Sequence, residues 1–263
     1  MCPRRWGSPI EEAWCERAPR TISESRYSVM TAPVALALDA PDLNTACAWA
    51  NAVNGIFSHI KVGLETYLRD GAVGVAEIRA AAPDCALFLD LKIHDIPNTM
   101  AGAARSVAVL EPDILTVHAA AGEAGIGAVA EALPETRVAA VTVLTSLGTL
   151  DLAQLGVSGT PEQVVMRWAR LAVSAGARAI VSSAQEVSTL RALLGADPLL
   201  ITPGIRPAGA DHADQQRVVT PADAISAGSG LLVVGRPVTA AAEPRAAAMD
   251  IATQAVQALR GVR

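Results

Sequence analysis

Asp90-Leu91-Lys92-Ile93-His94-Asp95-Ile96-Pro97-Asn98-Thr99 places three charged side chains directly after the apolar run Ala86-Leu87-Phe88-Leu89. Residues two apart on a strand share a face, so Asp90 and Lys92 should project together from its end. Charges in a strand are costly to bury unless paired and hydrogen-bonded, so the cluster is either a structural ion pair or a site. At the C-terminal end of a barrel strand, a site is the better reading. A lysine aimed by flanking carboxylates suits delivery of a proton to a carbanion, or electrostatic stabilisation of one. Ile96-Pro97 breaks the strand, and Asn98 or Thr99 is placed to cap the helix that follows.

These side chains need a frame to hold them. Apolar runs predict strands at 34–38, 58–62, 85–91, 114–117, 137–144, 179–181, 199–202 and 231–234. Helical patterns lie between them at 44–53, 67–81, 101–110, 124–133, 161–175 and 184–194, with a short helix opening at Pro221 and a last one at 240–259. Eight strands alternating with helices predict an α/β fold, a single (β/α)8 TIM barrel over residues 31–263. A doubly wound sheet is the competitor. It would carry a glycine-rich turn after its first strand, where this chain reads Asp39-Ala40-Pro41-Asp42.

Barrel geometry then sorts the polar residues. Asp39, Lys61, Asp90, Lys92, His118 and Thr145 fall at the ends of strands one to five and should face one another across the mouth. The seventh loop contributes Pro203-Gly204-Ile205-Arg206 and then Asp214-Gln215-Gln216, and strand eight ends in Gly235-Arg236-Pro237. Loops seven and eight often hold a phosphate in such barrels. Gly235 allows close backbone approach, and Arg206 and Arg236 each offer a planar fork to phosphate oxygens. No cysteine or serine nucleophile has an evident base, and no metal-ligand spacing occurs. The residues therefore read as a lyase or isomerase acting on a phosphorylated small molecule.

Composition excludes several other classes. The 263 residues are 51% apolar and carry a net charge of −5, which gives no hint of a nucleic-acid surface. Aromatics make up only 3%, too few for base-stacking platforms. No run approaches the ~20 apolar residues of a membrane span. Cys2, Cys15, Cys47 and Cys85 show no repeated spacing, so neither a zinc site nor a disulfide framework is expected, and a cytoplasmic location fits. Residues 1–30 hold Pro3, Pro9 and Pro19 among scattered charges, with no apolar core of a secretory signal and too many acids for a transit peptide. They read as a disordered tail, or as a start assigned too far upstream, with Met30 the true one.

The ten-residue stretch from Asp90 to Thr99 resembles the signature of the orotidine 5'-phosphate decarboxylase family in its bacterial form. The likeness continues in order through Leu38-Asp39, Lys61-Val62-Gly63, Thr116-Val117-His118-Ala119, Leu144-Thr145-Ser146, Ser183-Ala184-Gln185-Glu186, Thr202-Pro203-Gly204-Ile205-Arg206-Pro207 and Val234-Gly235-Arg236-Pro237. It covers the chain from Pro33 to the C-terminus. The resemblance implies decarboxylation of orotidine 5'-phosphate to UMP, the last step of pyrimidine nucleotide synthesis, without cofactor or metal. Lys92 would stabilise and protonate the C6 carbanion, with Asp90 beside the substrate carboxylate. Asp39 and Lys61 would bind ribose hydroxyls, Lys61 also joining the charged network. Thr145 would meet the pyrimidine, Arg236 and the backbone near Gly235 the phosphate, and Gln215 both phosphate and base. Arg206 matches a ligand-contact position. Asp95, Ile96 and Thr99 would complete the site of a neighbouring subunit, so the resemblance implies a homodimer. Two alternatives stay open. One is the related magnesium-dependent sugar-phosphate decarboxylases and synthases, which carry an acid where Lys61 stands; the other is a nucleotide-binding barrel without activity.

Overall fold

The computed structural model describes residues 31–207 and 219–262. The expected tail (1–30) and Gln215 lie outside the described residues. Eight strands, β1 (Ala32–Ala37), β2 (Phe57–Gly63), β3 (Ala86–Ile93), β4 (Ile114–His118), β5 (Arg137–Val141), β6 (Ala179–Val181), β7 (Leu199–Thr202) and β8 (Leu231–Val234), pair in sequence order into a closed barrel. Every pairing is parallel, and β1 closes on β8 through Val34↔Leu232 and Leu36↔Val234. The predicted α/β barrel is the fold observed.

Strands covered on both faces read as continuous apolar runs. Alternate residues serve two separate cores. One lies between strands and helices and includes Leu36, Ile60, Leu87, Leu89, Leu115 and Ile180. The other gathers Ala35, Phe88, Ile114, Ala139, Ala179, Ile201 and Leu231, one residue from each of seven strands, and fills the barrel's interior. The strand missing from that apolar layer is β2, whose inward positions hold His59 and Lys61. The barrel interior is thus polar where the candidate site begins.

The helices are α1 (Leu43–Val53), α2 (Leu64–Ala81), α3 (Pro97–Val107), α4 (Gly122–Ala132), α5 (Thr149–Gln154), α6 (Pro161–Ser174), α7 (Val187–Leu194), α8 (Pro221–Ser226), α9 (Arg236–Thr239) and α10 (Pro244–Val262). Asp42 caps α1 by accepting the Thr45 N–H (2.8 Å), and Thr160 and Gln163 form a reciprocal capping box on α6. None of the helices in the described residues is long and apolar enough to cross a membrane.

Several boundaries differ from the sequence expectation. Strand β5 stops at Val141 rather than at residue 144: its partner β6 ends at Val181, whose carbonyl takes the last ladder bond from the Thr142 N–H (3.3 Å) and also the Thr142 hydroxyl (3.0 Å). The following loop, expected without structure, contains α5, whose start is fixed by Gly148 N–H donating to Asp151 (2.8 Å). Neither Asn98 nor Thr99 caps α3; Pro97 occupies its first turn and Ile96 precedes it without a side-chain cap. The expected helix at 240–259 is α10, which opens later, at Pro244, and runs to Val262; the short α9 precedes the expected span.

Candidate active site

At the C-terminal ends of β1, β2 and β3 the charged residues form a chain. Lys61 Nζ lies 3.9 Å from Asp39 Oδ1 and donates to Asp90 Oδ2 at 3.0 Å, while Lys92 Nζ donates to Asp90 Oδ1 at 2.8 Å. Asp90 thus holds one lysine on each carboxylate oxygen. The environment is graded: Lys61 and Asp90 side chains are 9% and 14% exposed, Lys92 34% and Asp39 52%. The inner pair is fixed by burial, while the outer ends open to the mouth where a ligand could reach them.

Burial by itself would push the Asp90 carboxyl up. The charges of Lys61 and Lys92, with the hydrogen bonds they donate, outweigh it and bring Asp90 down to about 2. Asp90 is therefore anionic throughout the physiological range. A fixed anion between two ammonium groups can aim a proton donor, and it can oppose a second anion placed beside it.

The backbone at Lys92 is unusual. Its φ is +47°, in the left-handed region that lysine rarely occupies. There the β3–β4 register shifts: Leu89 pairs with Leu115 and Ile93 with Val117. The expectation that Asp90 and Lys92 share a face by plain alternation is thus met through a bulge rather than through regular strand geometry. Two residues not singled out from sequence take part. Thr116, fully buried on β4, donates its hydroxyl to Asp90 Oδ1 (3.0 Å) and accepts the Lys92 N–H (2.8 Å). Gly63 ends β2 so close to the cluster that a Cβ there would stand 2.7 Å from Asp39 Oδ1 and 3.3 Å from Lys61 Nζ. Both belong to short motifs in the sequence, but nothing in a threonine on a strand or a glycine at its end signals the contact.

The remaining expected residues are placed differently. Asp95, Ile96 and Thr99 are exposed, Ile96 to 66%, and Asp95 accepts its neighbour's N–H from Ile96 (2.6 Å). Among the described residues Asp95 forms no ion pair with Lys61 or Lys92, so one chain does not bring it into the network. Thr145 is exposed in a turn four residues past the end of β5, not at a strand end. Arg206 is buried: its N–H donates to the Val219 carbonyl (3.1 Å) and its guanidinium to that of Ile205 (3.1 Å). Gly235 and the exposed Arg236 follow β8 directly, at the edge of the mouth beside β1. A Cβ on Gly235 would meet only Ala37 Cβ at 3.7 Å, so packing does not require glycine there. Close to Lys92, the rings of His94 and His118 stack at 5.3 Å, and His118 meets Trp168 edge-on at 5.9 Å. His118 Nδ1 accepts the Ala120 N–H (3.2 Å), so this strand-end residue is engaged in hydrogen bonding and ring packing.

Comparison with known proteins follows the same residues. The sequence model described as "Orotidine 5'-phosphate decarboxylase / HUMPS family" matches residues 32–251. The orotidine 5'-phosphate decarboxylase of Thermobifida fusca is 57% identical over 225 residues, covering 86% of this chain and 96% of that protein. The enzyme of the same name from Frankia casuarinae is 48% identical, covering 84% and 86% of the two chains. The crystal structure of the orotidine 5'-phosphate decarboxylase from Lactobacillus acidophilus superimposes with a TM-score of 0.74 at 32% identity, over 85% of this chain and 99% of that one.

Proposed function

We infer that this chain, which belongs to the orotidine 5'-phosphate decarboxylase / HUMPS family, decarboxylates orotidine 5'-phosphate to UMP in pyrimidine nucleotide synthesis. The observation that carries the reading is the Asp39–Lys61–Asp90–Lys92 chain at the barrel mouth. Lys61 also separates this site from the magnesium-dependent branch, which resembles it but carries an acid at that position.

In this reading the substrate carboxylate meets the open end of the network, beside Asp90 and Lys92. The C6–carboxylate bond breaks heterolytically, carbon dioxide leaves, and the electron pair stays on C6. The Lys92 ammonium lies against that carbon, stabilises the developing charge and gives it a proton. Solvent then reprotonates the lysine. Asp90, held ionised by its two lysines, fixes the direction of Lys92 and opposes the carboxylate in the ground state. Asp39 and Lys61 take ribose hydroxyls, and Thr145 contacts the pyrimidine from the loop after β5. At the far side, Arg236 and the backbone at Gly235 take the phosphate; Gln215 bridges phosphate and base, and Arg206 is a further ligand-contact residue. Glycine at 235 answers to a ligand's approach rather than to the protein's own packing. Phosphate binding, remote from the bond that breaks, supplies energy for orientation and closure.

Residues 31–263 are the catalytic unit in this reading, and the family match begins at residue 32. The working form is a homodimer in which Asp95, Ile96 and Thr99 of each chain complete the other's site. Its support is the run of exposed residues 94–99, with Ile96 uncovered, and the exposed Leu64 (45%) and Leu68 (76%) on the neighbouring α2. A cytoplasmic location agrees with Cys47 and Cys85, which are free thiols.

The test is the fall in orotidine 5'-phosphate absorbance with purified protein in excess EDTA. Turnover should persist in EDTA and fall by ~10³-fold or more in Lys92→Ala with UMP binding retained. Arg236→Ala should instead raise KM by ~10²-fold, the worth of a charge-assisted fork. No turnover without magnesium, or full activity in Lys92→Ala, would reject the reading.

A further inference from the structure

Between the register pairs Leu89↔Leu115 and Ile93↔Val117, β3 advances four residues while β4 advances two. The β3 residues between the pairs are Asp90, Leu91 and Lys92, and the single β4 residue opposite them is Thr116. Such a bulge leaves backbone groups without ladder partners, and buried N–H groups need one. Here the partner of the Lys92 N–H is the Thr116 hydroxyl, at 2.8 Å. An amide nitrogen only donates and an ionised carboxylate only accepts. The hydroxyl's single proton therefore goes to Asp90 Oδ1, at 3.0 Å, and its lone pair to Lys92 N–H. One buried side chain thus fixes both the left-handed backbone of the lysine and the plane of the carboxylate that aims it.

We propose that Thr116 is a positioning residue for the decarboxylation, locking the β3 bulge so that the Lys92 ammonium points at the reacting carbon. The proposal rests on the decarboxylase reading for its chemistry, but not for its geometry. Without the hydroxyl, the Lys92 N–H loses its partner and the left-handed φ loses its reason. A return of Lys92 from its left-handed φ toward extended backbone would re-aim its side chain, since the direction of the Cα–Cβ bond follows the backbone dihedrals. Groups that hold ribose and phosphate lie on other strands and would stay in place. Chemistry should fail while binding survives.

The experiment compares wild type with Thr116→Val and Thr116→Ser. Thr116→Val keeps the shape and removes the hydroxyl; its kcat should fall by ~10²-fold, as expected for a misplaced reacting group. Its UMP dissociation constant should stay within about threefold of wild type, because ground-state contacts are untouched. Thr116→Ser restores the hydroxyl and should return kcat to within about fivefold. Should Thr116→Val not yield folded protein, Thr116→Cys, with a weak S–H donor, carries the test and should lose kcat with the same sign. A crystal structure of the valine or cysteine variant should show Lys92 out of the left-handed region. Unchanged kcat in Thr116→Val, a serine variant as impaired as the valine one, or UMP binding lost in step with kcat would overturn the proposal. Were wild type itself inactive on orotidine 5'-phosphate, the reaction assignment would fall. The Lys92 backbone in the variant structure would still decide the positioning role.

Discussion

His59 and Lys61 stand two residues apart on the same face of β2, and the barrel treats them in opposite ways. Lys61 meets Asp90 and keeps company with opposite charge. His59 shares a hydrogen bond with the Ser58 hydroxyl (2.7 Å) and lies near Arg137. Burial first, and the Arg137 charge second, push His59 down to about 4. An unfolded histidine titrates near ~6.5, so between pH 6.5 and 4 the unfolded chain binds more protons than the folded one. Stability should therefore fall as pH drops through that window. Asp90, also lowered, contributes stability above its unfolded value that is lost only as pH falls toward about 2, outside the His59 window. Melting temperatures of wild type and His59→Gln from pH 7 to 4.5 separate the two: the variant should show a shallower decline on acidification. Parallel curves would mean that His59 titrates normally in the folded protein.

At the scale of elements, β2 and β3 meet the site through their last residues, and small geometric details decide what those residues touch. Gly63 closes β2 and leads straight into α2. A methyl group there would crowd the Asp39 carboxylate, which is exposed and can swing away, rather than the backbone. Gly63→Ala should therefore leave the melting temperature nearly unchanged while lowering kcat/KM by ~10-fold or more, through the displaced Asp39 and Lys61 groups. Thermal melts beside steady-state kinetics check this; a destabilised but fully active variant would contradict it. The sequence made the identity of the charged residues legible, because lysines and aspartates at the ends of apolar runs are out of place in a core. The way they are aimed was not legible. Thr116 reads as an ordinary β-branched strand residue, and strand periodicity contains no sign of a bulge at Lys92. The early end of β5 was hidden for a related reason: residues 142–144 continue an apolar run, and the ladder ends because the neighbouring β6 is only three residues long and stops at Val181. Thr145 consequently sits on a loop and not on the barrel rim.

For the molecule as a whole, the alternation of eight apolar strands with helices was legible because parallel strands buried on both faces leave so plain a trace. In the proposed homodimer, completeness of the site would be a property of two chains, and sequence patterning carries no such information; the expectation of a second subunit came from likeness to a family. Asp95 provides the sharpest consequence. It belongs to the same ten-residue signature as Asp90 and Lys92, yet it is exposed and makes no ion pair with either lysine among the described residues. If its carboxylate serves a neighbouring site, Lys92→Ala and Asp95→Ala each inactivate both sites of their own homodimer. In a mixed dimer, one site then carries both defects, while the other combines an intact Lys92 with the partner subunit's Asp95. Random reassortment of equal amounts places half the protein in mixed dimers with one good site each. Activity should recover to about a quarter of wild type, as twofold symmetry of a shared site requires. Mixing the two inactive variants under conditions that exchange subunits, followed by the orotidine 5'-phosphate assay, measures it. No recovery despite proven subunit exchange would confine Asp95 to its own chain, and the reason for its exposure would have to be sought in a lid rather than in a partner.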